Sequence, residues 1–118
     1  MNGLIVKPKW ADLILSGAKI WEIRGRRTMK RGTIGIIKSR SGNVYGQVDL
    51  VGCISLTMYE WANNKEKHLV NYADIDYATP YAWVLQNPIL YSEPIPYRHP
   101  QGAVIWVNLP DNLTEIRV

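Results

Sequence analysis

The chain has no phenylalanine; five tryptophans and seven tyrosines supply every aromatic ring. Both residue types join a flat face to a polar tip, which suits the rim of a ligand groove as well as the edge of a small core. The single cysteine, Cys53, excludes an intramolecular disulfide and fits a reducing cytoplasm. It is expected to pack as a small buried hydrophobe. The two histidines, His68 and His99, stand far apart and lack partners at metal-ligand spacing, so no zinc site is expected. Neither a Gly-rich phosphate loop nor a G-x-S-x-G elbow is present, and the sequence calls for no cofactor. No apolar run approaches the ~18 residues of a membrane span. No cationic head followed by an apolar run and cleavage site opens the chain. These absences together predict a cytoplasmic protein without a membrane partner.

What remains is an ordinary globular composition, 47% apolar and 20% charged over 118 residues. That length predicts one domain over 1–118, with its core over about 3–110 and a tail over 111–118. The net charge of +4 and a pI near 9.3 favour anionic partners.

Gly3 to Lys7 reads as a short strand, and Pro8 fits the first position of a helix, where its missing N–H costs nothing. The helix is expected to run to about Ser16, with Trp10, Leu13, Ile14 and Gly17 on its core face and Gly17 as its stop. Residues 19–24 return as a strand. Trp21 and Ile23 point one way; Ile20, Glu22 and Arg24 point the other. Strict alternation puts Lys19 with Trp21, whereas a turn after the helix would swing it toward Glu22. Gly25 to Gly32 is a basic loop, Thr33 to Lys38 a strand, and Ser39 to Asn43 a turn. Val44 to Leu56 is a long strand in which Gly46 and Gly52 mark bends. Residues 58–67 read as helix, followed by a polar connection over 71–79. Ala82 to Leu85 is a strand broken by Asn87-Pro88. Ile89 to Glu93 is a further extended piece, and Val104 to Leu109 is the last strand. The pattern predicts an α+β fold: a small, bent, mostly antiparallel β-barrel with two or three short helices.

Chemistry concentrates in Gly17-Ala18-Lys19-Ile20-Trp21-Glu22-Ile23-Arg24, which sets a carboxylate between two cations. Arg26, Arg27, Lys30 and Arg31 follow at once. A carboxylate among cations builds a polar pocket, and a cationic run beside it holds a polyanion. Lys19, Glu22 and Arg24 are therefore the candidate catalytic residues. Lys7, Trp10, Trp21, Arg26, Arg27, Lys30 and Arg31 are the candidate ligand-binding residues. About three phosphate contacts from the loop give a salt slope near −2 on a single strand. A tryptophan stacked on a base adds about 1–3 kcal/mol.

The spacing Gly17-x-Lys19-x-x-Glu22-x-Arg24 resembles the G-x-K-x-x-E-x-R signature of ASCH domains, within the PUA-like superfamily. Lys7-Pro8-Lys9-Trp10-Ala11 is similar to the family's entry to its first helix, and Gly46-Gln47-Val48-Asp49-Leu50 to one of its strands. Trp83, Glu93-Pro94-Ile95-Pro96, Gly102 and Val107-Asn108-Leu109-Pro110 resemble its C-terminal pattern. The resemblance spans residues 3–110 and implies a PUA-related β-barrel with a cleft beside the first helix. It also implies RNA or DNA binding. One bacterial branch hydrolyses N4-acetylcytidine to cytidine, and one member is a ribonuclease, so the fold does not fix the reaction. The acetylcytidine hydrolases carry threonine where this chain has Glu22. They also use a glutamate on the helix after the long strand, where the nearest acids here are Glu66 and Asp74.

The expected function is binding of RNA or a nucleoside or nucleotide in that cleft, with the Arg26–Arg31 loop holding phosphate. The alternative is an amidohydrolase acting on an N4-acylated cytidine nucleoside, with Arg24 stabilising the oxyanion. There Lys19 acts as base only when neutral; bringing its pKa from about 10.4 to near 7 takes ~4 kcal/mol. A Lys19–Glu22 pair would keep Lys19 charged and leave Glu22 as the better base. Tyr77, Tyr81, Trp83 and Asp49 are further candidates for the pocket wall. A ribonuclease and a protein-interaction domain complete the alternatives.

Overall fold

The computed structural model describes residues 1–75 and 77–113. Six strands form one curled half-barrel sheet in the order β2-β5-β4-β3-β1-β6. They are β1 (Asn2–Val6), β2 (Trp21–Arg24), β3 (Gly32–Lys38), β4 (Asn43–Ser55), β5 (Tyr81–Pro96) and β6 (Trp106–Asn108). Among the described residues only the β1–β3 pairing is parallel, so the sheet is mostly antiparallel, as the sequence predicts. The helices are α1 (Pro8–Leu15), α2 (Met58–Ala62) and α3 (Lys65–His68), with a 3-10 turn at Tyr72–Asp74. Among the described residues, no helix is long and apolar enough to cross a membrane. The last residues of the predicted tail, 114–118, lie outside the described residues.

Helix α1 crosses the inner face of the sheet. Its buried residues are Ala11, Ile14 and Leu15, whereas Trp10 and Leu13 are half-buried and Gly17 is exposed. The core face is thus turned from the expected one. Ala11 is fully buried because its small side chain lets the helix approach the sheet closely. Below it, Leu4, Ile34, Ile36, Val48, Leu50 and Trp83 form the main core. A second cluster, Trp21, Ile23, Leu56, Trp61, Val70 and Ala82, fills the space under α2 and α3.

Three other expectations need correction. The helix expected over 58–67 is two helices, because Asn63 and Asn64 interrupt it; Asn is a poor helix former whose side chain competes for the backbone. Both amides donate back to carbonyls of α2, to Tyr59 at 2.8 Å and Glu60 at 2.7 Å. Second, Asn87-Pro88 does not end a strand. Asn87 adopts φ 55° and the register shifts opposite it, so β5 absorbs the two residues as a bulge and runs on to Pro96. Third, Cys53 is half-buried rather than fully buried; it follows the register shift between Leu50 and Gly52, beyond which β4 carries no buried residue.

Candidate functional site

Lys19 reaches the site because α1 ends where it does. Gly17 takes φ +86°, a conformation that suits glycine, and the Lys19 amide donates to the Leu13 carbonyl at 3.0 Å. The Ile20 amide then donates to the Lys67 carbonyl at 3.0 Å. The turn over residues 16–18 and these two bonds keep residues 19 and 20 out of β2, and the Lys19 side chain swings onto the Glu22 side of the strand.

There Lys19 is 1% exposed and Glu22 4% exposed. The Lys19 ammonium donates to the His68 carbonyl and stands 3.8 Å from Glu22 Oε1. It also lies 4.6 Å from the centre of the Trp10 ring. Glu22 Oε2 accepts a hydrogen bond from Arg24 Nε at 2.9 Å and pairs ionically with Arg24 Nη2 at 2.8 Å. Arg24 Nη2 also donates to the Ile5 carbonyl at 3.0 Å, which links β2 to β1, strands that are not neighbours in the sheet. Two cations thus share one carboxylate, leaving one positive charge in excess inside the fold. Burial pushes the Lys19 pKa from 10.5 down to about 8; Glu22 opposes the drop and Arg24 adds to it.

This cluster forms the floor of a cleft of about 420 Å³. Ile5, Lys7 and Trp10 line one side and Ile23 lies beside the floor. Val70, Asp74, Ile75 and Tyr77 come from the segment after α3, and Ser39, Arg40 and Val104 complete the rim. Gly25 lets Tyr77 close in, since a Cβ at that position would meet the tyrosine ring. Lys7 and Arg40 are exposed cations at the mouth. Among the described residues, no group of three or more His, Cys, Asp or Glu side chains could hold a metal ion.

The sequence candidates therefore divide. Lys7, Trp10, Lys19, Glu22 and Arg24 share the cleft. Trp21 does not line it; it packs in the second core cluster with the Lys67 ammonium 5.0 Å from its ring. Arg26, Arg27, Lys30 and Arg31 also stay off the cleft wall and form a separate basic loop. The Arg26 carbonyl is held by Trp83 Nε1 at 3.0 Å, and Arg31 Nη1 donates to the Thr28 and Lys30 carbonyls at 3.0 and 2.7 Å. Lys30 lies 5.2 Å from the Trp106 ring. Of the further wall candidates, Tyr77 lines the cleft, whereas Tyr81 and Trp83 do not. Asp49 instead accepts from Thr33 at 2.8 Å and Asn87 at 3.0 Å on the far side of the sheet. Of the two nearest acids, Asp74 lines the cleft and Glu66 does not. Arg40, whose φ is 66°, was not among the sequence candidates; a basic residue inside the turn predicted over Ser39 to Asn43 was the available signal.

No curated protein sequence matches the chain. Among solved structures, the ASCH protein of Zymomonas mobilis is similar over 97% of this chain and 90% of its own, at 17% identity and a TM-score of 0.75. A serine-to-alanine variant of that protein is similar over 98% of this chain and 92% of its own, at 18% identity and a TM-score of 0.75. A tyrosine-to-phenylalanine variant gives 98% and 94%, at 18% identity and a TM-score of 0.73. The family model of the ASCH domain matches residues 4–95, so this chain belongs to the ASCH domain family.

Proposed function

We propose that the cleft holds one nucleoside or nucleotide unit, free or within single-stranded RNA, and that the Arg26–Arg31 loop takes up the adjoining phosphates. The observation that carries this reading is the cluster of buried Lys19 and Glu22 with half-buried Arg24 on the floor of a cleft whose mouth bears Lys7 and Arg40. Its volume falls in the range of about 300–1,000 Å³ usual for small-molecule sites. Burial also strengthens each polar contact the cluster makes, because little water screens it. Trp10 supplies an aromatic wall, and the mouth cations supply the charge that an anionic backbone meets first.

The test is a titration of each of the four ribonucleoside monophosphates into the protein, followed by amide NMR shifts. Shifts are expected around Trp10, Glu22 and Arg40, and Arg40→Ala is expected to weaken binding by about tenfold, in line with one charged hydrogen bond. Absence of shifts at those residues with all four nucleotides would retire the reading.

A second reading, hydrolysis of an N4-acylated cytidine to cytidine and the free acid by addition of water, has its own support. With its pKa near 8, roughly a tenth of Lys19 is neutral at pH 7, and Asp74 faces the same cleft as a second acid. Incubation with N4-acetylcytidine would then release cytidine at a rate that rises with pH through about 8 and vanishes in Lys19→Ala.

A further inference from the structure

We propose that His68 is the positioning residue for Lys19: its neutral imidazole closes the turn after α3 and aims the His68 carbonyl at the Lys19 ammonium, and adding a proton to the ring releases Lys19.

His68 is wholly buried, and both ring nitrogens are engaged. The Val70 amide donates to Nδ1 at 2.9 Å. A nitrogen that accepts from an N–H carries no proton of its own, so the proton sits on Nε2. Nε2 then donates to the Trp61 carbonyl at 2.7 Å. The ring also stacks on Trp61, with centres 4.8 Å apart and planes 9° apart. One imidazole thus ties α2 to the chain two residues beyond α3.

That tie fixes the backbone between. Leu69 is held at φ 61°, which a side chain of its size seldom adopts without outside support. Two successive carbonyls are thereby presented to the start of β2: Lys67 takes the Ile20 amide and His68 takes the Lys19 ammonium. Val70, the residue clamped by Nδ1, lines the cleft. A proton on Nδ1 would face the Val70 N–H and break the clamp. The charged groups that act on the ring are Lys19 from the segment before β2, and Glu66 and Lys65 from α3. Burial and the Lys19 charge oppose protonation of the ring.

The consequence for ligand binding rests on the cleft reading above; the link between His68 and Lys19 does not. Long-range proton–nitrogen NMR on histidine-labelled protein reads the tautomer, and lysine side-chain signals read Lys19 on the same samples. From pH 8 downward, His68 is expected to start as the Nε2–H form. Below 6.5 the Lys19 signals are expected to move together with the His68 titration while the Ile36 and Val48 methyl signals hold. A proton on Nδ1, Lys19 signals that ignore the titration, or loss of the core signals at the same pH would each overturn the proposal.

Two variants give a second readout. His68→Gln keeps a donor near the Trp61 carbonyl but loses the acceptor for Val70, so the Lys19 midpoint should move from about 8 toward 10.5 as the ammonium escapes to water. His68→Asn restores an acceptor close to the Nδ1 position and should keep the midpoint near 8. Equal midpoints in the two variants would contradict the positioning role. Cytidine monophosphate added to the wild type at pH 7.5 decides the ligand reading separately, because the lysine and histidine signals need no ligand.

Discussion

Two neighbouring stretches of this chain carry the same kinds of side chain and use them in opposite ways. Between Lys19 and Arg24, a buried cation, a half-buried cation and a buried carboxylate are mutually paired, and both cations are fixed against backbone carbonyls. Between Arg26 and Arg31, Arg26, Arg27 and Arg31 are exposed, and the loop is pinned mainly through its own backbone. Charges in the first stretch interact strongly and cost desolvation; charges in the second are screened within ~10 Å by salt. The first therefore favours orientation of one small group, and the second favours attraction of a polyanion. Trp83 joins the two. Arg24 lies 5.5 Å from its ring, its Nε1 holds the Arg26 carbonyl, and it stacks on Trp106 with centres 5.8 Å apart.

The sharpest way to break this contrast is to remove the shared carboxylate. Glu22→Ala leaves the buried Lys19 and the half-buried Arg24 without their counter-charge and is expected to cost about 3–5 kcal/mol in urea unfolding. A loss under about 1 kcal/mol would mean that the cluster is solvated like the loop.

Lys19→Met should act in the other direction. Holding the Lys19 charge inside, with its pKa moved from 10.5 to about 8, corresponds to about 3 kcal/mol against folding at neutral pH. Removing that charge leaves Glu22 paired with Arg24, so a gain of about 1–3 kcal/mol is expected, together with loss of nucleotide binding or turnover. The sign of the pH dependence follows from linkage. Between pH 8 and 10.5 the unfolded chain holds the Lys19 proton and the folded chain does not, so wild-type stability rises with pH there. The advantage of Lys19→Met should shrink over that window. A constant difference from pH 7 to 10.5 would show that Lys19 stays charged throughout.

Trp83→Phe tests the junction between the regions. It keeps an aromatic ring beside Arg24 but strips the donor from the Arg26 carbonyl. Stability should fall by about 1–2 kcal/mol. Affinity for a short single-stranded RNA should fall as well, although no cation has been removed; unchanged affinity would separate the loop from Trp83.

How far the sequence disclosed these regions follows from the range of the contacts involved. The two faces of β2, Trp21 and Ile23 against Glu22 and Arg24, and the Gly17 stop were legible because both depend on near neighbours. The choice between the two faces for Lys19 was not, because the Lys67 and His68 carbonyls that hold residues 19 and 20 lie almost fifty residues away. Arg40, Asp74 and Tyr77 join the cleft through the same long-range closure. His68 carried no metal-ligand spacing, so its sequence offered only an absence, while its position between Trp61 and Val70 gives the ring its role. Asn87-Pro88 misled for a different reason: the residues that end a strand in isolation are tolerated in one whose partner shifts register.

The smallest effect on the fold should come from the basic loop. Arg26 and Arg27 are exposed, and among the described residues no hydrogen bond or ion pair of either side chain is seen. Replacing both with alanine should change stability by less than about 0.5 kcal/mol. Its effect on RNA should be specific in kind rather than large in degree. Each phosphate contact on a single strand contributes ~0.7 to the slope of log affinity against log salt, so the double variant should flatten that slope by ~1.4. Base preference should stay as it was, since phosphate contacts carry no sequence information. The cleft variants should do the reverse: Arg40 aside, they alter which nucleotide binds and leave the salt slope nearly unchanged. A double loop variant that altered base preference would mean that the two regions form one continuous surface, and the division between an orienting cleft and an attracting loop would fail.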